Sequence, residues 1–212
     1  MTRASRWIAL IVSTTLAGSA VAAEKASPVT RLGKTVVRYQ DDAVKAVLSW
    51  RFANQTFEKE PWLLLELAFA AEGKALNLNR EDVALLAPDG ERIPLPGQKR
   101  FAERMKNPLQ LVQRASVARD PLDNYFSRPT RFESLRFFTV PGGPVVQDEV
   151  SGGPSWLIQG DLFFEAPNGV WKPGSYTLVL KNKTMDVALP FSLPAGELKK
   201  DAKGAADKVV PW

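Results

Sequence analysis

Three acidic side chains form the most chemically suggestive pattern in this sequence. Glu66 interrupts the apolar stretch at residues 61–71, and Asp161 and Glu165 lie in a later hydrophobic stretch. Two carboxylates that face each other can serve as a general acid and as a base or nucleophile, as in glycoside cleavage. The sequence alone does not show which two of these three side chains face each other. Because a charge inside an apolar strand is unusual, Glu66 would otherwise emerge at a sheet edge or pair with an arginine.

The missing residue types exclude several other reactions. The chain contains no histidine and no cysteine. It therefore lacks Ser-His-Asp and Cys-His catalytic sets, and it lacks the imidazole and thiolate ligands that hold zinc, copper or iron. Asp120, Asp123 and Asn124 could offer oxygen ligands to calcium, but the glycine and the terminal glutamate of an EF-hand loop are missing. We predict no catalytic residues, no cofactor and no metal site.

Aromatic side chains in loops are the second group of candidates. Trp171 lies between two turns, and Tyr125 and Phe126 are adjacent in a loop rich in charges. An exposed ring can stack on the apolar face of a sugar, although a cap over one end of the core is the favoured role for Trp171. Arg104 belongs to the densest cluster of basic residues in the chain. These four residues are the predicted ligand- or partner-binding set.

Strands are the elements that would position most of these residues. Within residues 61–71, Leu63, Leu65, Leu67 and Phe69 fall on one face, and the other face is also mostly apolar. This spacing of two predicts a central strand that is covered on both sides. Residues 43–52 alternate in the same way, and we predict an amphipathic strand there. About nine such strands, separated by short turns, favour an all-β fold.

One region of the chain breaks this pattern. Alternation stops at residues 98–119, where helix formers predict two short helices, or one helix broken at Pro108. Before it, the string VALLAPDGERIPL at residues 83–95 has a strong turn signal at Pro88-Asp89-Gly90. This string resembles hairpins of exported immunoglobulin-like sandwich domains. The resemblance covers a small part of the chain and implies an antiparallel immunoglobulin-like β-sandwich, here with a short helical insertion.

The first 23 residues have the layout of a secretory signal peptide. Arg3 and Arg6 precede a ten-residue apolar stretch that is too short to span a bilayer comfortably. Small residues then predict cleavage after Ala22 or Ala23. The predicted organisation is a signal peptide at residues 1–23, a flexible lead-in at 24–33, a β-sandwich domain at 34–194 with the helical insertion at 98–119, and a mobile tail at 195–212.

Together these observations predict an exported protein, periplasmic or secreted, that does not span the membrane once the signal peptide is removed. A net charge of +5, spread along the chain, does not favour nucleic-acid binding. We expect a soluble, non-catalytic module that binds an envelope or extracellular protein through the helical insertion and the loop at residues 120–129. The alternatives, in order, are a carbohydrate-binding module and a carboxylate-dependent hydrolase.

Overall fold

Strands dominate the regular structure of residues 27–127 and 129–195, which are the residues that this computed structural model describes. The predicted signal peptide, with its cleavage near Ala22 or Ala23, and the tail beyond Ala195 lie outside them. In chain order the strands are β1 Val29–Arg31, β2 Val36–Gln40, β3 Val44–Ser49, β4 Trp62–Ala71, β5 Leu76–Asn79, β6 Val83–Leu86, β7 Arg92–Pro94, β8 Arg131–Ser134, β9 Glu149–Gly152, β10 Trp156–Glu165, β11 Gly174–Lys181 and β12 Asp186–Leu193. The helices are α1 Arg51–Thr56, α2 Gln98–Arg104 and α3 Pro108–Ser116, with 3₁₀ turns at Arg80–Asp82 and Leu122–Tyr125.

The strands form three sheets. A six-stranded sheet has the order β1-β2-β3-β4-β10-β8, a four-stranded sheet the order β12-β11-β6-β7, and β5 pairs with β9. The named strands pair antiparallel throughout, except that β8 runs parallel to β10. The fold is therefore all-β and mainly antiparallel, with few short helices, as the sequence predicted.

Strand β4 is the centre of the large sheet. It lies between β3 and β10, and all ten of its residues are buried. Leu65 and Leu67 face the core shared with the four-stranded sheet, where they meet residues such as Leu85 of β6 and Leu178 of β11. We call this the inner face of the large sheet. The predicted central strand with two covered faces is confirmed, and two sheets around one core fit a β-sandwich.

The helical insertion covers the opposite, outer face of the large sheet. Phe101 of α2 and Leu111 of α3 pack on Trp62 and Leu64 of β4, and these contacts form a second apolar cluster. A third cluster forms where Leu122, in the 3₁₀ turn that follows, packs on Val47, Ala68 and Leu157. The two predicted helices are present, and α3 begins at Pro108 because proline is suited to the first turn of a helix.

Two local expectations need correction. The strand predicted at residues 43–52 ends at Ser49, because Trp50 leaves the extended conformation and turns its ring into the core, 5.7 Å from the ring of Phe191. The predicted lead-in at residues 24–33 contains β1, an edge strand whose Val29 packs against the core. In the part of the chain described here, no helix has the length and apolar character needed to cross a membrane.

Candidate ligand-binding cleft

Three polar side chains lie side by side on the outer face of the large sheet. Strand register places Ser49 of β3 and Asp161 of β10 on either side of Glu66 of β4. On either side of this row, the same face of the sheet carries apolar residues such as Leu64 and Ala68. The fold therefore brings together two of the three carboxylates that the sequence singled out. Glu66 and Asp161 are cross-strand neighbours, and such neighbours interact directly.

Arg119, which follows α3, reaches over this row of polar residues. Its Nη2 donates a hydrogen bond to Oδ2 of Asp161, whereas its Nε lies 3.8 Å from Oε1 of Glu66. The guanidinium thus forms a close ion pair with Asp161 and a loose one with Glu66. Pairing with an arginine was one of the two structural roles expected for Glu66.

Asp120 fastens the end of the insertion to the sheet. Its carboxylate accepts hydrogen bonds from Oγ of Ser49, at 2.7 Å, and from Nη1 of Arg51, at 3.2 Å. Its backbone N–H lies close enough to the Glu66 carboxylate to lower the pKa of that group. Asp120 was considered above as an oxygen ligand for calcium, and here it orients the residues around Glu66.

Glu66 has the most unusual electrostatic environment in the cleft. It is only 5% exposed, and its Oε2 is buried without a hydrogen-bond partner among the described residues. Burial, together with the charge of Asp161, raises the pKa of Glu66 to about 7, although Arg119 and the Asp120 backbone N–H oppose the shift. Burial also raises the pKa of Asp161, and the charge and hydrogen bond of Arg119 offset only part of this rise. Near neutral pH, Glu66 therefore exists in both protonation states.

A cleft of about 270 Å³ opens beside these groups, between the insertion and the edge strand β8. Phe132 of β8 lies at its rim and is 65% exposed. Gly160 forms part of the wall, where any Cβ would collide with the backbone of Leu135, so only glycine permits this approach. The remaining lining residues are Glu66, Arg119, Glu133, Ser134, Leu157, Gln159 and Asp161. The cleft thus combines carboxylates, one arginine and an aromatic rim.

The third acidic candidate lies elsewhere. Glu165, at the end of β10, pairs with Arg100 and with Arg104 of α2, whose Nε is 2.7 Å from Oε1. Arg104, one of the predicted binding residues, therefore helps to fasten the insertion to the sheet. These ion pairs are separate from Glu66 and Asp161, so Glu165 does not contribute to the cleft.

Trp171, the leading aromatic candidate, caps one end of the core. It is 5% exposed, its Nε1 donates a hydrogen bond to the carbonyl oxygen of Pro61, and its ring meets that of Tyr176 edge-on at 5.9 Å. It also lines a separate cavity of about 300 Å³ beside Pro88. This is the capping role that the sequence favoured, and it gives little free ring surface for stacking on a sugar.

Tyr125 and Phe126 are half-buried on the outer face, where they pack against the third apolar cluster. The ammonium of Lys45 lies 5.3 Å from the centre of the Phe126 ring. No described contact brings these two residues together with Trp171 or Arg104. Sequence reasoning also missed Arg119 and Phe132, because nothing local in the chain links them to Glu66.

The fold and the cleft define a class of protein in structural terms only: a mainly antiparallel β protein with a helical layer and an acid-lined cleft on one face. Comparisons of the chain with protein-family models, with curated proteins and with solved structures found no match. Its function must therefore be inferred from the cleft and its surroundings.

Proposed function

We propose that the protein is an exported, soluble, non-catalytic binding module of the cell envelope. Its partner is an envelope or extracellular protein, and its binding face is the outer side of the helical insertion together with the adjoining cleft. An immunoglobulin-like arrangement of the sandwich belongs to the same proposal, and the two sheets that enclose one core support it.

One observation carries the choice of this face. Buried polar groups in native proteins are nearly always hydrogen-bonded, and an exception calls for an explanation. Oε2 of Glu66 is such an exception, and Glu66 lines an open cleft with an exposed phenylalanine at its rim. A ligand group that completes the hydrogen bonding of Glu66 explains both features.

The test is crosslinking of the tagged full-length protein in cells, followed by mass spectrometry. Deleting the insertion would be uninformative, because it would also expose Trp62 and Leu64 on the outer face of the sheet and could create non-specific contacts. We would instead compare Phe132→Glu at the rim of the cleft with Val170→Glu, a control on another exposed apolar residue that lines the Trp171 cavity. A partner held by the wild type and by the control, but lost from Phe132→Glu, is the expected result. No discrete partner, or equal retention by both variants, would contradict the proposal.

Export is tested separately by N-terminal sequencing of the protein from the cell envelope or the medium. We expect the mature chain to begin at Ala23 or Glu24. A chain that begins at Met1 or Thr2 would show that the leader is not removed.

A carboxylate-dependent hydrolase is the second candidate, and one observation favours it. Glu66 and Asp161 are adjacent, burial raises the pKa of both carboxyl groups, and Arg119 pairs closely with Asp161 alone. Two adjacent carboxyl groups, of which only one is closely paired with a cation, can divide the roles of acid and nucleophile. We rank the hydrolase second because of Arg119. Its guanidinium contacts both carboxylates and occupies the position that a substrate atom would need.

A screen of glycosides and esters tests the hydrolase. Any activity should disappear in both Glu66→Gln and Asp161→Asn. Activity that survives in both variants would eliminate these residues as catalytic groups.

A further inference from the structure

The carboxylates that line the cleft are paired unequally with cations of the chain. Glu133 is already paired with Arg131 and Arg136, and Asp161 is paired closely with Arg119. Glu66 has only the distant Nε of Arg119 and one backbone N–H. Among the carboxylates that line this cleft, Glu66 is thus the one without a close cation.

Arg119 is a close partner of Asp161 and a distant one of Glu66. Its side chain is 40% exposed, and its guanidinium contacts two carboxylates, Asp161 closely and Glu66 at a longer distance. A rotation of this side chain that keeps its bond to Asp161 would free the space beside the Glu66 carboxylate, where Nε now lies 3.8 Å from Oε1. A compact cation could then approach Glu66 more closely than the guanidinium does.

We propose that the cleft is a binding site for an ammonium group, which forms an ion pair with Glu66 in place of the Arg119 Nε and rests against the ring of Phe132. This inference rests on the proposed function, since it names the chemical group that the binding face recognises. Phe132 provides an exposed aromatic face at the rim of the cleft, and such faces attract cations. The ammonium's N–H groups supply the donors that Oε2 lacks.

Other ligand types fit the cleft less well. An anion would meet three carboxylates, and the arginines beside them are already engaged in ion pairs. A neutral hydroxyl group could donate a hydrogen bond to Oε2, but it would leave the charge of Glu66 unpaired in a buried position, which is costly. A cation satisfies both the charge and the missing hydrogen bond.

Protonation of Glu66 makes the proposal sensitive to pH. The groups that face Glu66 are Asp161 from β10, Arg119 and Asp120 from the insertion, and Ser49 from β3. With a pKa of about 7, Glu66 is mostly neutral at pH 6 and mostly ionised at pH 8. An amine stays cationic throughout this range. The affinity should therefore rise about tenfold from pH 6 to pH 8, as the ionised fraction of Glu66 rises.

The ammonium could come from a free small amine or from a lysine side chain of the partner protein. We would titrate the purified mature protein with 1,4-diaminobutane and with Nα-acetyl-lysine amide, using isothermal titration calorimetry at pH 8. Tighter binding of the diamine indicates a free amine, and tighter binding of the lysine amide indicates a protein side chain. Butane-1,4-diol, which has the same spacing of polar groups without the charge, is the control ligand and should not bind.

Two variants separate this site from simple surface attraction. Glu66→Gln should weaken amine binding by at least about tenfold and remove its pH dependence. Arg119→Gln should strengthen amine binding, because it removes the competing cation, and it keeps the assay informative if Glu66→Gln fails to fold. Asp186→Asn, which changes an exposed carboxylate on β12, should bind amines like the wild type.

Three results would overturn the proposal: equal binding of the diol, unchanged affinity in a folded Glu66→Gln, or weaker binding in Arg119→Gln. Because the assay uses purified protein and small molecules, it does not depend on capture of a cellular partner. Amine binding without a captured partner would support the site and contradict the proposed function. A captured partner without amine binding would support the proposed function and contradict the ammonium site.

Discussion

The two faces of the large sheet are built on different principles, and β4 shows both. On the inner face, Leu65 and Leu67 belong to one apolar core that continues into the second sheet. On the outer face, Leu64 and Ala68 belong to two separate apolar clusters, with Glu66 between them. The inner face is continuous, whereas the outer face is divided by a strip of charged groups beneath the insertion.

This difference shows where the chain gains stability and where it holds buried ionisable groups. Burial of apolar surface stabilises the inner face without any requirement for a particular partner. The charged strip requires each carboxylate to find a cation or a donor, and burial of such pairs adds little net stability. An apolar residue at position 66 would cover the outer face equally well, so the presence of Glu66 there has to be explained by something other than packing.

The largest effect should come from the inner face. Phe69→Ala removes a fully buried ring from the centre of the core and should lower the free energy of unfolding by about 3–5 kcal/mol. Phe132→Ala removes the same side chain from an exposed position on β8 and should change it by less than about 0.5 kcal/mol. Urea denaturation of both variants measures the difference. Equal losses would show that the inner face is not the main source of stability.

The outer apolar cluster should give a smaller and more local effect. Leu111→Ala removes a buried contact between α3 and the sheet, and we expect a loss of about 2–3 kcal/mol. Amide hydrogen exchange should accelerate in α2 and α3, while β4 and β11 stay protected. Leu109→Ala, on the same helix but half exposed, is the matched control and should change little. Uniform loss of protection across both sheets would mean that the insertion and the sandwich unfold together.

The elements on each face could be predicted from the sequence, because their signals are local. Alternating leucines mark β4, and the turn at Gly90, with its positive φ of 86°, joins β6 to β7 as expected. The prolines in the return strand limit it to three residues at the edge of its sheet. Helix formers around Pro108 indicated the two helices of the insertion.

The assembly of the cleft could not be predicted in this way, because it depends on contacts between distant parts of the chain. The juxtaposition of Glu66 and Asp161 follows from the register of β4 against β10, which no local pattern specifies. Arg119 reaches them only because α3 packs across the outer face. The parallel pairing of β8 with β10, which brings Phe132 to the rim, likewise leaves no trace in the spacing of residues.

Replacing Glu66, the charged residue on the outer face of β4, should change how the free energy of unfolding depends on pH. The pKa of Glu66 is about 7 in the folded protein, against 4.5 for an ordinary glutamate, so the folded state binds more protons between these two values. The stability that Glu66 contributes is therefore present below pH 4.5 and is lost as the pH rises through 7. Glu66→Gln should remove this dependence and raise the free energy of unfolding at pH 8, relative to the wild type, by about 3 kcal/mol.

Urea denaturation at pH 5 and pH 8 checks this prediction. Glu72→Gln changes an exposed glutamate just beyond the end of β4 and should follow the wild type at both values. A Glu66→Gln variant that is less stable than the wild type at pH 8 would show that the ionised carboxylate is satisfied in the folded protein. That result would also remove the main physical reason for a ligand at this position.

The smallest effect should come from the ion pairs at the rim of the insertion. Nη2 of Arg114 lies 2.6 Å from Oε1 of Glu60, but both side chains are partly exposed, and such pairs contribute little in water. Arg114→Gln should lower the free energy of unfolding by less than about 1 kcal/mol at low salt, and the loss should vanish near 1 M salt because the charges are screened. Arg114→Lys, which keeps the charge, is the control. A loss that is larger and independent of salt would mean that specific hydrogen bonds, rather than the apolar contacts of Phe101 and Leu111, hold the insertion on the sheet.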